Sequence, residues 1–163
     1  MKTSTGNTQL CLPSESRPGQ RTIRTVLAED LPLLMVLVAR IVSKNERIMI
    51  VGSATDGRKA LGHASTLSPD LVITDLHMPG VDGAEVTRRL KQSVHPPVVF
   101  IVTSDDTLEA RTRCMAAGAD AFLVKAANLV PQLLSAIQEF FPDDLDQNDT
   151  EPAHLCETIT TVK

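Results

Sequence analysis

Apolar residues along the chain fall into short runs that alternate with longer, mixed segments. The runs are rich in Val and Ile and have strand length, whereas the mixed segments repeat their apolar positions with a helical period. This pattern predicts five strand–helix units. The strands are expected at residues 22–28, 47–54, 71–75, 98–103 and 119–124, and the helices at 31–44, 56–67, 82–93, 106–117 and 129–141.

Helix boundaries are marked by residues with known positional preferences. Asp56 and Asn128 precede helical segments and are predicted N-caps. Pro32 falls in a first turn, where a missing N–H costs nothing. Gly118 and Pro142 follow helical segments at positions where helices usually end.

The five predicted strands are continuous apolar runs, so both faces of their sheet must be covered. Strands that alternate with helices favour a parallel sheet with right-handed crossovers. The sequence therefore predicts an α/β, doubly wound, three-layer sandwich whose ligand site lies beyond the carboxyl ends of the strands.

Composition limits the chain to one domain with an aliphatic core. Of 163 residues, 42% are hydrophobic and only 2% are aromatic, with no Trp or Tyr. The polar residues 1–21 and the acidic residues 142–163 are predicted to be flexible tails around a domain at 22–141.

Charge, cysteine content and hydropathy indicate the kind of partner and the cellular compartment. A net charge of -4 argues against nucleic acid. Cys11, Cys114 and Cys156 are odd in number and widely spaced, as expected of free thiols in a reducing compartment. The apolar run at 31–42 is too short to cross a bilayer and no signal peptide precedes it, so we expect a cytoplasmic protein without membrane insertion.

Chemistry-bearing residues collect where four of the five strands end. The first strand ends in Glu29-Asp30, the third in Asp75, the fourth in Thr103 and the fifth in Lys125. The second strand ends without a charged group, which suits an edge strand. The carboxyl ends of parallel strands share one edge of the sheet, so we expect these side chains to meet there.

Three carboxylates, one hydroxyl and one ammonium form a set suited to phosphoryl transfer. The carboxylates repel one another unless a cation is present, and Mg²⁺ prefers such oxygen ligands. Lys125 and Thr103 can bind an anion beside the metal, and a carboxylate can accept a phosphoryl group. No Gly-rich phosphate loop is present, so the donor is not expected to be a bound nucleotide.

Residues 22–141 resemble the receiver domains of bacterial two-component response regulators. The resemblance rests on motifs in register with the strands: Glu29-Asp30, Asp75-x-x-Met78-Pro79-Gly80-x-Asp82-Gly83, Thr103-Ser104 and Lys125. It implies a flavodoxin-like fold with strand order 2-1-3-4-5.

The resemblance also implies a role for each residue of the rim. Asp75 would be the phosphoacceptor, and Asp30 and Asp75 would bind Mg²⁺ directly. Glu29 would act through a bound water and His77 through its backbone carbonyl. Lys125 would pair with the phosphoryl oxygens.

Two further residues complete the implied switch. Thr103 would hydrogen-bond the phosphoryl group, and Phe122 matches the aromatic residue whose rotamer follows that threonine. Ala126 departs from the family, which often has proline after the lysine, so we expect no cis peptide bond there.

The implied partners are a histidine kinase or histidine phosphotransfer protein and a downstream target protein. The chain would catalyse only its own phosphorylation and dephosphorylation. Because only 22 residues follow residue 141, we expect a stand-alone receiver without a DNA-binding output domain.

The first predicted helix carries a second apolar face. Its core stripe is expected at Leu34, Leu37, Val38 and Ile41, with i, i+3, i+4, i+7 spacing. Leu33, Met35 and Val36 would then point outward and form a contact surface for a kinase, a phosphotransfer protein or a second copy in a homodimer. A terminal tail covering this face is an equally good interpretation.

Other interpretations remain open at this point. Asp30 could be a helix N-cap, Lys125 a solvated lysine and Phe122 a plain core residue. The whole chain could be a degenerate scaffold receiver, a small aspartate-nucleophile phosphatase or a flavin carrier. The phosphatase interpretation expects a second acid two residues after Asp75, where this chain has His77.

Overall fold

The computed structural model describes residues 21–142 and contains five strand–helix units, as the pattern predicts. The strands are β1 Ile23–Ala28, β2 Ile48–Ala54, β3 Leu71–Thr74, β4 Val98–Thr103 and β5 Ala121–Val124. The helices are α1 Pro32–Val42, α2 Gly57–Leu67, α3 Gly83–Lys91, α4 Leu108–Ala116 and α5 Leu129–Phe140.

All strand pairs are parallel and the sheet order is β2-β1-β3-β4-β5, which confirms the flavodoxin-like topology. Helices α1 and α5 pack on one face of the sheet, around Leu133 and Ile137 of α5. Helices α2, α3 and α4 cover the other face. β2 is an edge strand, as its uncharged end suggested.

Helix ends agree with the sequence at most positions. The side chains of Asp56 and Asp82 accept hydrogen bonds from backbone N–H groups three residues on, which caps α2 and α3. Gly118 has φ of 95° just after α4, a conformation that favours glycine. Asn128 is the N-cap residue of α5, as predicted, but its side chain makes no capping hydrogen bond.

The predicted core face of α1 needs correction. Leu37 is 49% exposed, although we expected it in the core. Met35, expected to face outward, is instead half-buried and packs against the core cluster. Leu33 and Val36 are exposed at 80% and 62%, as predicted. The buried residues of α1 are Val38, Ile41 and Val42. The outward apolar face is therefore rotated about the helix axis, by part of a turn, from the predicted one.

Residues 1–20 and 143–163, where the two tails were predicted, lie outside the described residues. Between residues 21 and 142, no helix is long and apolar enough to cross a membrane. The same residues contain no cis peptide bond, which agrees with the expectation for Lys125-Ala126.

Candidate functional site

The acidic and basic residues predicted at the strand ends lie together at one rim of the sheet. β1, β3, β4 and β5 are consecutive neighbours in the sheet, so their carboxyl ends converge. Backbone hydrogen bonds extend the strand pairing by one residue into the site. Asp75 N, just after β3, donates to Ala28 O of β1 at 2.8 Å, and Lys125 N, just after β5, donates to Thr103 O of β4 at 2.7 Å. The rim is therefore fixed by the ladder of the sheet itself.

Lys125 is the central cation of this rim. Its Nζ donates to Glu29 Oε2 at 2.7 Å and to Asp75 Oδ2 at 2.9 Å. All three side chains are almost fully buried. Asp30 adds a third carboxylate, and one oxygen each of Glu29, Asp30 and Asp75 lies within 4.8 Å of the others. Four of the five side chains predicted to meet, those of Glu29, Asp30, Asp75 and Lys125, are thus brought together.

The site holds more negative charge than its single ammonium can balance. Burial raises the pKa of Glu29, and the neighbouring Asp75 carboxylate adds to the shift, while Lys125 only partly opposes it. A second cation in contact with the carboxylates would relieve this imbalance. Carboxylate oxygens are the ligands that Mg²⁺ prefers, so the donor set fits a magnesium ion.

Asp75 is held firmly at the end of β3. Its Oδ1 accepts a hydrogen bond from the Leu76 N–H at 2.6 Å, and its backbone carbonyl accepts one from the Thr74 hydroxyl at 2.9 Å. The Asp75 carboxylate is thus oriented by two hydrogen bonds, one from the backbone to Oδ1 and one from Lys125 to Oδ2. The alternative interpretation of Asp30 as a helix N-cap is not observed. The N-cap residue of α1 is Leu31, and no side chain caps the helix.

The turn after Asp75 brings α3 against the backbone of β3. Gly83 N donates to Leu76 O at 2.9 Å. A Cβ at Gly83 would lie 2.0 Å from the Asp75 carbonyl oxygen, so only glycine allows this approach. The sequence pattern places Gly83 only within the predicted helix at 82–93 and does not indicate this contact. Its position directly after the Asp82 cap was the only signal.

Thr103 and Phe122 lie on the same face of neighbouring strands. Phe122 is paired with Ile101 and Thr103 with Val124, so Thr103 and Phe122 are diagonal neighbours. Thr103 is fully buried and Phe122 is 6% exposed within a core cluster. The Arg111 guanidinium lies 4.9 Å from the centre of the Phe122 ring, a contact that the sequence did not indicate.

His77 has a side-chain partner that sequence reasoning missed. Its Nε2 lies 3.1 Å from Asp105 Oδ2, across the gap between the β3 and β4 loops. Hydrogen bonds from Thr107 and this contact lower the pKa of Asp105. The Asp105 N–H also donates to the Thr103 hydroxyl at 3.2 Å. The His77 side chain is exposed, whereas that of Asp105 is partly buried.

Comparison with known proteins agrees with this fold. The family model described as the response regulator receiver domain matches residues 25–138. This chain belongs to the response regulator receiver domain family. Receiver domains are phosphoacceptors of two-component signalling that bind Mg²⁺ at an acidic pocket.

Among curated relatives, the response regulator GacA of Pseudomonas aeruginosa is 34% identical over 119 residues, covering 73% of this chain and 55% of GacA. A protein-glutamate methylesterase/protein-glutamine glutaminase of Myxococcus xanthus is 38% identical over 104 residues, covering 63% of this chain and 30% of that protein. The chain therefore spans about half the length of GacA and less of the methylesterase.

Solved structures give the same fold. A two-component response regulator of the LuxR family from an Aurantimonas species has a TM-score of 0.69 at 26% identity, covering 74% of this chain and 85% of that one. The response regulator domain of Thermotoga maritima CheB has a TM-score of 0.68 at 24% identity, covering 74% of this chain and 97% of that one.

Proposed function

We propose that this chain accepts a phosphoryl group on Asp75 from a phosphohistidine of a histidine kinase or phosphotransfer protein. The observation that carries the proposal is the position of Lys125 Nζ, which bonds both Asp75 and Glu29 beside a third carboxylate. This arrangement supplies an acceptor oxygen, an ammonium for the incoming phosphoryl oxygens and ligands for a divalent cation in one place.

Mg²⁺ would be held directly by Asp30 and Asp75, through a water by Glu29 and by the His77 carbonyl, and would neutralise charge on the transferring group. A carboxylate oxygen of Asp75 attacks phosphorus while the P–N bond of the donor breaks. The imidazole nitrogen of the donor keeps the electron pair. Lys125 then turns from the carboxylate to the phosphoryl oxygens, and the Thr103 hydroxyl donates to one of them.

The signal is proposed to leave through protein contacts around α4, β5 and α5. Thr103 and Phe122 are diagonal neighbours on one face of β4 and β5. A movement of the threonine hydroxyl would therefore change the packing around the phenylalanine ring. The ring borders an open surface groove of about 620 Å³ between α4 and α5, into which it would turn on a change of rotamer. A downstream target protein would bind this surface in one of the two states.

The exposed apolar face of α1 is proposed to bind the phosphohistidine donor. Leu31, Leu33, Val36 and Leu37 are each about half exposed or more and follow directly after the acidic pair Glu29-Asp30. A donor seated there would lie next to Asp75. In the double variant Leu33→Glu/Val36→Glu, phosphotransfer from a donor protein should fall while phosphorylation by acetyl phosphate is unchanged. Equal loss in both reactions would contradict this surface.

The central test is incubation of the full chain with acetyl phosphate and Mg²⁺, followed by intact mass measurement. We expect addition of one phosphoryl group, which is absent without Mg²⁺ and absent in Asp75→Asn. Asp56→Asn, which changes a helix-capping aspartate, is the matched control and should be phosphorylated normally. No addition to the wild type, with Mg²⁺ shown to bind, would favour an unphosphorylated scaffold instead.

A further inference from the structure

A large apolar groove lies at the end of the molecule opposite the acidic rim. Its volume is about 600 Å³, within the range of ligand and peptide pockets. It is bounded by the last turns of α2 and α3 and by the starts of β3 and β4. We name it the basal groove, and its apolar lining includes Leu61, Ala64, Leu90, Pro97, Val98 and Phe141. The proposed phosphotransfer makes no use of it.

The described chain ends at this groove. Phe141 lines it, and Pro142 is the last described residue. Arg47, which is buried and directly precedes β2, holds the backbone at the point where the described chain ends. Arg47 Nη1 donates to Phe141 O at 2.7 Å and Nη2 to Pro142 O at 3.2 Å. Whatever follows Pro142 therefore begins beside the basal groove in every molecule.

We propose that the chain's own segment 143–163 docks in the basal groove. Among the apolar residues of this segment, Leu155, Ile159 and Val162 have the i, i+4, i+7 spacing that places side chains on one face of a helix. Twelve residues lie between Pro142 and Leu155, and an extended chain spans about 3.3 Å per residue, so the segment is long enough to fold back onto the groove.

Charge at the groove supports the same occupant. The first part of the segment is acidic, with Asp143, Asp144 and Asp146. Asp70, which lines the groove, is paired with Arg21 at 2.7 Å. Arg89 on the same lining pairs through Nε with Glu85 at 2.6 Å, but its guanidinium is half exposed and has five N–H donors, so it can bind a further carboxylate. Tethering raises the effective concentration of the segment to about the millimolar range, so weak contacts suffice.

The test uses the full chain with a nitroxide attached to Cys156 in a Cys11→Ser background. Cys114 is fully buried and its thiol pKa is raised to about 11, so it stays unlabelled. Backbone amide signals are then compared before and after reduction of the nitroxide. We expect loss of most of the signal intensity at Ala64, Ser93 and Val98, and little loss at amides of the acidic rim.

The matched control is the triple variant Leu155→Ser/Ile159→Ser/Val162→Ser with the same label, in which the groove signals should recover. Uniform weak broadening in both proteins would overturn the proposal. A mixture of isotope-labelled chain without nitroxide and nitroxide-labelled chain without isotope separates self-docking from association. Groove broadening in this mixture as strong as in the doubly labelled chain would overturn self-docking in favour of a second copy.

Discussion

At the scale of single residues, Lys125 balances two buried carboxylates at once. Its Nζ bonds Glu29 and Asp75, and each side chain is at most 9% exposed. A buried carboxylate without a cation is costly, so the lysine stabilises the fold as well as the proposed reaction. The proposed phosphoryl acceptance and the folding stability therefore depend on the same ammonium group.

The variant Lys125→Met is expected to lower the free energy of unfolding by about 3–5 kcal/mol without metal, because it leaves the buried carboxylates unpaired. Mg²⁺ should restore part of this loss by supplying another cation. Urea unfolding with and without Mg²⁺ measures both effects. The exposed ion pair of Lys59 with Asp56 provides the control, and Lys59→Met should cost less than about 1 kcal/mol. An identical loss at Lys125 with and without Mg²⁺ would contradict the metal site.

Cys114 is a second residue whose environment makes a measurable prediction. Burial raises the pKa of its thiol to about 11 from an ordinary value of 9.0. The folded state then holds the thiol proton more tightly than the unfolded state. This stabilising contribution is complete below about pH 9 and is lost as the pH rises to about 11.

In the variant Cys11→Ser/Cys156→Ser, iodoacetamide at neutral pH should leave Cys114 unmodified in the folded protein and alkylate it in urea. Mass spectrometry distinguishes the two results. The unfolding free energy of the same variant should decline from about pH 9 to 11, and additional Cys114→Ala should flatten that part of the profile. Rapid alkylation of the folded protein would show that the thiol is accessible.

At the scale of elements, the junction of β3 and α3 is set by a glycine that has no room for a side chain. The start of α3 lies against the carbonyl of Asp75, and the Asp82 cap fixes the helix axis there. Asp82 also pairs with Arg113 of α4, so the same junction ties two helices together. The position of Asp75 depends on this packing.

Gly83→Ala is expected to destabilise the fold strongly, because its Cβ would lie 2.0 Å from Asp75 O. The displacement of Asp75 should also slow phosphorylation by acetyl phosphate. Gly62→Ala is the matched control, since nothing lies within 4 Å of its Cβ and it sits inside α2. That variant should be more stable by about 0.5–1 kcal/mol. Thermal unfolding of both variants measures this difference in stability. Equal unfolding midpoints would contradict the prediction.

At the scale of the whole molecule, the sheet separates the acidic rim from the basal groove. The acidic rim gathers the carboxyl ends of the strands, and the basal groove lies at their other end, where helices finish. A ligand that binds only the folded rim stabilises the entire fold, because the rim residues come from β1, β3, β4 and β5 together.

Mg²⁺ should therefore raise the thermal unfolding midpoint of the wild type in proportion to the logarithm of its concentration above saturation. In Asp30→Asn/Asp75→Asn, which removes two of the three clustered carboxylates, the midpoint should no longer depend on Mg²⁺. Calorimetry of both proteins at matched ionic strength makes the comparison. An equal Mg²⁺ response would place the metal elsewhere.

The sequence by itself determined the five strand–helix units, the parallel sheet and the residues that meet at its rim. These follow from local periodicity and from topology, since every parallel strand delivers its last residue to the same edge. Glu29, Asp75, Thr103 and Lys125 were predicted together for this reason.

Tertiary structure alone decided the features that depend on contacts between distant segments. The exposure of Leu37, the closeness of Gly83 to Asp75, the His77–Asp105 contact and the Arg111–Phe122 contact each need two elements in their final positions. A helical period defines an apolar stripe only to within part of a turn, and packing against the sheet selects which residues are buried. The basal groove belongs to the same class, because it forms where four elements and the end of α5 meet.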